Sequence, residues 1–167
     1  MADLVTISDF VGDFFLQQDI TTQNAFNSIR DEWDRVYIRR MLGVELGNLF
    51  LADFDVNTPT TLDSRFQTIY DPIQEDSNGI IIESRGIKYM MKGIVWYYFA
   101  RQNNTIVSTG GNKTTDSENS TPSDQSFFLA KNFNQAIHTG REIQRYIREN
   151  SSTYPEYNGQ YLNMISL

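Results

Sequence analysis

A chain of 167 residues with 40% hydrophobic and 13% aromatic content is long enough for one domain with a sizeable core and is not disordered as a whole. Its formal charge of −7 argues against a protein that grips nucleic acid over a broad basic surface, although it suits an acidic lumen through which DNA merely passes. The absence of cysteine excludes disulfides and thiolate metal sites.

In chain order, Ser8 and Asp9 open a short amphipathic turn with Phe10, Val11, Phe14 and Phe15 as its inward side. A helix is expected from about Gln23 to Leu42. Phe26, Ile29, Trp33, Val36, Tyr37 and Met41 hold its apolar period, and Arg30, Asp31, Asp34 and Arg35 take the wet side. Arg39 and Arg40 followed by Gly43 read as its C-terminal signature. Val44 to Ala52 is a further helix and Asp53 to Pro59 a linker. Thr60 or Thr61 then starts a helix with Leu62, Phe66 and Ile69 inward. Asp76-Ser77-Asn78-Gly79 is a turn, and Ile80–Ile82 is a short strand or an extended plug without an evident sheet partner.

The segment SRGIKYMMKGIVWYYFARQNN, Ser84 to Asn104, is a helix too apolar and aromatic to stand alone. Ile87, Met90, Met91, Ile94, Val95, Tyr98 and Phe99 form one stripe. Trp96 and Tyr97 lie off it and are expected to offer a second, aromatic face to another chain. Residues 103–123 are almost pure Asn, Ser, Thr, Gly and Asp, broken only by Ile106 and Val107, and their length marks an arm loop or hairpin. Helix resumes at Pro122–Asp124 and runs to about Glu149 on a seam of Phe127, Ala130, Phe133, Ala136, Ile137, Gly140, Ile143 and Ile147. The tail after Tyr154, residues 154–167, has no helical period yet carries Tyr154, Tyr157, Tyr161, Leu162, Ile165 and Leu167. Pro155 and Gly159 favour an extended path, so docking on another chain is expected, with folding back onto its own bundle as the alternative.

Chemistry-bearing motifs are weak. His138 is the only histidine, has no second His or Cys for a metal, and reads as a helix-surface residue. Asp53-Phe-Asp55-Val-Asn57 begins like a calcium loop, but neither the turn glycine nor the closing Glu follows. Gly110 to Thr114 lacks the second glycine of a phosphate loop and follows a helix rather than a strand. Arg141, Arg145 and Arg148 alternate with Glu142 and Glu149, which fits a solvated or protein-binding face. No catalytic constellation, cofactor site or metal site is expected, and the protein is expected not to be an enzyme. MADLVTISDF has neither a basic nor a long apolar stretch, so no signal peptide or membrane span is expected.

Four segments carry a resemblance: the opening ISDFVGDF, the helix end YIRRMLGVELGNLFLADF, the segment IIESRGIKYMMKGIVWYYFARQNN, and the polar loop leading into FFLAKNFNQAIHTGREIQRYI. Together they resemble the head–tail connector (head-completion or adaptor) proteins of tailed bacteriophages, in the versions found in phages of Bacteroidetes including crAss-like phages. The resemblance implies an all-α fold: a compact helical bundle, residues 1–153, with a hairpin or loop arm at about 103–123 and the C-terminal tail. It implies a subunit made in the host bacterial cytoplasm and placed in the virion neck. There it would join a homo-oligomeric ring, commonly of twelve copies, between the portal protein and the next neck or tail protein, with DNA only as passing cargo. Its C-terminal segment would reach toward the portal. The alternatives are another neck protein, a stopper or terminator, and a small non-viral helical adaptor or regulator.

Overall fold

A computed structural model describes residues 2–14, 16, 19–57, 61–77, 79–103, 105–108, 111–114 and 122–166. The described chain is mostly helical. Two 3-10 turns, Ile7–Asp9 and Gly12–Phe14, precede α1 (Ile20–Leu42), α2 (Val44–Val56) and α3 (Ser64–Tyr70). Next come strands β1 (Ile73–Ser77) and β2 (Ile80–Ser84), helix α4 (Gly86–Asn103), strands β3 (Thr105–Ser108) and β4 (Gly111–Thr114), and helix α5 (Pro122–Glu149). The expectation of a purely α-helical protein is therefore corrected. β1 and β2 form an antiparallel pair with Ile73 opposite Ser84 and Ser77 opposite Ile80. The isoleucine run does have a partner, the polar sequence IQEDS, whose Asp76 and Ser77, expected in the turn, instead pair with Ile81 and Ile80.

Helix α1 starts earlier than its apolar period suggests because Asp19 caps it. The Asp19 carboxylate accepts from the Thr22 amide at 2.9 Å and the Thr22 hydroxyl at 2.6 Å. Phe26, Ile29, Tyr37 and Met41 are buried as their spacing demands, but Val36 is exposed and Arg30 and Asp34 are buried. For Arg30 the reason is the N-terminal segment, which lies against it. Leu4 and Val5 are buried, and Arg30 donates to Asp3 at 2.6 Å and to Asp31 at 2.8 Å. Beside this clasp, Asp55 takes the Arg35 guanidinium at 2.7 Å and the Ala2 amide at 2.8 Å. Of the linker expected from Asp53 to Pro59, Asp53 to Val56 is the last turn of α2, where Asp53 accepts from the side-chain amide of the C-cap Asn57 at 2.7 Å, and residues 58–59 lie outside the described residues. The start expected for α3 at Thr60 or Thr61 moves to Ser64, because Asp63 caps the helix by accepting from the Arg65 amide.

α4 and α5 pack along their apolar stripes. Ile87, Met90, Met91, Ile94, Val95 and Phe99 meet Phe133, Ala136, Ile137, Ile143 and Ile147 in one continuous core. Small residues let them approach. A Cβ added at Gly93 stands 2.5 Å from Ala136 Cβ, and one at Gly140 stands 2.6 Å from Met90 Sδ. Both fall inside any real Cβ contact, so larger residues there push the helices apart.

Candidate interaction surface

The C-terminal segment is the largest correction to the sequence reading. Residues 154–166 run as a strap over their own chain. Tyr154 is 2% exposed and Leu162 is 1% exposed, so both belong to the core. Tyr157 and Ile165 are half-buried, Tyr161 is exposed, and Leu167 lies outside the described residues.

The physical reason lies at the end of α1. The last carbonyls of any helix lack intrahelical partners. Here the strap and α5 supply them: the Gln160 amide donates to Arg40 O at 2.7 Å, the Gln144 side chain to Met41 O at 2.9 Å, and the Asn158 amide to Leu42 O at 3.4 Å. Gly43 turns the chain with φ 86° and ψ 165°, a region essentially reserved for glycine. A Cβ at Gly43 stands 2.7 Å from the Asn158 carbonyl carbon, and one at Gly159 stands 1.8 Å from Met41 O. Two glycines thus bring two backbones into direct contact.

Further along, α5 reads the strap's main chain. Gln144 Nε2 donates to Gln160 O at 2.7 Å and Arg141 Nε to Leu162 O at 2.8 Å. Asn134 exchanges two bonds with Ile165, at 2.9 and 2.8 Å. Arg141 also lies 4.2 Å from the centroid of the Tyr161 ring. The Tyr154 hydroxyl donates to Arg65 O at 2.7 Å, and Arg65 pairs with Glu156 at 3.2 Å. Burial, together with the neighbouring Tyr146 hydroxyl, pushes the Tyr154 phenol well above the usual range. A segment fixed at this many points is an integral part of the subunit.

Trp96 requires a second correction. It is 8% exposed, enclosed by Phe14 at a centroid distance of 5.9 Å and by Phe128 at 5.7 Å and 86°. The second face of α4 is covered by the N-terminal turns and by the first turns of α5. Tyr97 is half-buried against Phe133 at 4.6 Å and Tyr98 at 5.3 Å. Tyr98 in turn stacks on Trp33 at 4.0 Å and 4°, and its hydroxyl meets that of Tyr37 at 3.0 Å. The aromatic surplus of α4 thus serves its contacts with α1 and α5.

Ile106 and Val107 lie on β3, opposite Lys113 and Asn112 of β4, so the arm carries an antiparallel backbone hairpin. Their side chains lie outside the described residues. Immediately after the arm, Phe127 is 56% exposed and Phe128 46% exposed. Phe127 was assigned inward on the α5 seam.

Among the described residues no group of three or more His, Asp or Glu comes together to hold a metal, and no helix is long and apolar enough to cross a membrane. The Asp53–Asn57 stretch is helix, with Asp55 bonded to Arg35, so it does not form a cation loop. The most buried carboxylate is Asp34, 4% exposed. Desolvation pushes it up to about 6, partly opposed by the backbone of Arg35 and by the Arg35 and Arg30 charges. His138 is exposed on α5. No family model, curated protein or solved structure matches the chain.

Proposed function

We propose that this chain is a structural subunit of the neck of a tailed bacteriophage. In this reading copies form a ring that attaches below the portal protein, extends the DNA channel and gives the next neck or tail protein its platform. The helical part serves as a compact bundle, and the 103–123 arm reaches a neighbouring copy. The observation that carries the proposal is the exposed pair Phe127 and Phe128 at the head of α5, directly after the hairpin-bearing arm. Phe128 shields one edge of Trp96, yet both rings keep about half their surface in water, which suits a subunit–subunit contact. The resemblance in four segments, the predominance of helix and the charge of −7 support the same reading. The strap, bound to its own subunit, is not the element that reaches the portal.

Co-expression with a portal protein from the same phage type, followed by electron microscopy, tests the proposal. A ring of this chain on the portal, lost in the double variant Phe127→Ser, Phe128→Ser while the subunit stays folded, is the expected result. A chain that remains monomeric in the presence of every portal tested, or a ring that the double variant leaves intact, would contradict it.

A further inference from the structure

Away from the strap and the α5 head, a cleft of about 500 Å³ opens between the β1–β2 hairpin and α5. Its lining includes Pro72 and Ile73, the charged pair Glu83 and Arg85, and Gln135 with His138, one turn apart on α5. Arg85 is the unusual member. Its Nη1 donates to the Tyr89 hydroxyl at 2.7 Å, and its guanidinium carbon lies 4.7 Å from the Tyr89 ring centroid. This contact fixes the fork and uses one of its five N–H donors.

Among the described residues no carboxylate pairs with Arg85, although the chain holds 21 acids against 14 lysines and arginines. Arg30, Arg35, Arg65 and Arg145 each have one. The Gln135 and His138 side chains also have no hydrogen bond among the described residues. A guanidinium oriented by Tyr89, sharing the lining of a solvent-open cleft with the exposed Gln135 and His138, has the chemistry of carboxylate capture.

We propose that this cleft binds a single carboxylate, clamped by Arg85 and hydrogen-bonded by Gln135 and His138, with Pro72 and Ile73 offering apolar contact to the attached group. Glu83 on the same lining repels a second negative charge, which favours a monocarboxylate over phosphate. Such a group is presented by a free amino acid or by the terminal residue of a partner chain. The inference goes beyond the ring proposal and does not depend on it, because it is tested on the isolated chain.

The test is a titration of ¹⁵N-labelled protein with L-leucine, with N-acetyl-L-leucine (a mimic of a chain terminus) and with inorganic phosphate, followed by amide chemical shifts. Saturable shifts confined to residues 72–74, 83–89 and 135–139 are expected with at least one of the leucine probes. Arg85→Gln should weaken them about tenfold without moving the thermal midpoint, while Arg39→Gln leaves them unchanged. Tighter binding of the acetylated probe assigns the site to a chain terminus, and tighter binding of the free amino acid to a small molecule. The proposal is overturned if neither leucine probe saturates, if Arg85→Gln has no effect, or if phosphate binds as well as either.

Discussion

The two ends of α5 invert what their sequences suggest. The strap that follows it, YPEYNGQYLNMISL, has the composition of a docking arm, yet its Tyr154 and Leu162 are as buried as any core residue. The head that precedes it carries Phe127 on an apolar seam, yet Phe127 is exposed and Phe128 is covered only where it meets Trp96. Apolar content says that a segment must be covered. It does not say by which chain. The strap is covered by its own subunit because α1 ends in carbonyls that need donors and in a glycine corner that admits a second backbone. The α5 head has no such requirement near it within the described chain.

The most severe way to break this comparison is to remove the strap. Truncation after Thr153 deletes two large core residues and the donors to Arg40 O and Leu42 O. Each core truncation costs about 2–5 kcal/mol. Together they approach the roughly 5–15 kcal/mol that holds an ordinary domain folded. The truncated chain is expected to lose its cooperative thermal transition, read by circular dichroism. A soluble product melting near the full-length midpoint would show the strap to be dispensable.

The seam itself separates into core and surface by single substitutions. Phe133→Ala is expected to cost about 3–5 kcal/mol, since Phe133 is 4% exposed and packs against Tyr97. Phe127→Ser should change stability by no more than about 0.5 kcal/mol. Denaturant titration of both variants checks the contrast, and similar losses at the two positions would place Phe127 in the core.

Most of the helical frame was legible. The 3.6-residue period marks the buried stripes of α1, α4 and α5, and Arg39, Arg40 and Gly43 mark the end of α1. Three features were not. β1 has the unpromising strand composition IQEDS and exists because it pairs along the isoleucine strand β2. Arg30 reads as part of a wet face because the Asp3 carboxylate that pairs with it is remote in sequence, and the burial of Asp34 leaves no mark in the spacing. The strap's extended path follows from Pro155 and Gly159. Its receiver does not, since the Met41 and Arg40 carbonyls that hold it leave no trace in residue spacing. Of the candidate interface residues, Trp96 was misplaced because its spacing on α4 cannot reveal that Phe14 and Phe128 enclose it.

A finer probe of the strap is Gln144→Ala, which leaves Met41 O and Gln160 O without their shared donor. Buried and unpartnered, these groups are expected to cost about 1–3 kcal/mol in equilibrium unfolding. No change would mean that α5 does not read the strap's backbone.

A pH-dependent effect concerns Asp34. Its folded value near 6 lies above the ordinary 3.8, so the folded chain holds a proton there that the unfolded chain has already lost. Stability therefore falls as pH rises from about 4 to 6, and the cost is fully present above that window. Asp34→Asn should remove this slope and stabilise the chain by about 1 kcal/mol at pH 7, after allowance for solvent screening. Unfolding of wild type and variant at pH 4 and pH 7 measures it, and an equal difference at both would remove Asp34 as the cause.

Hydrogen exchange of the isolated chain tests the strap most directly. The Gln160 amide is bonded to Arg40 O at 2.7 Å and the Ile165 amide to the Asn134 side chain at 2.8 Å. If the strap is part of the core, the Gln160 amide exchanges as slowly as the amides of Ile38 and Met41 in α1, with Ile165 protected to a lesser degree nearer the chain end. Exchange of both at the rate of an unstructured peptide, with α1 still protected, would contradict the account and return the strap to the role of a free arm.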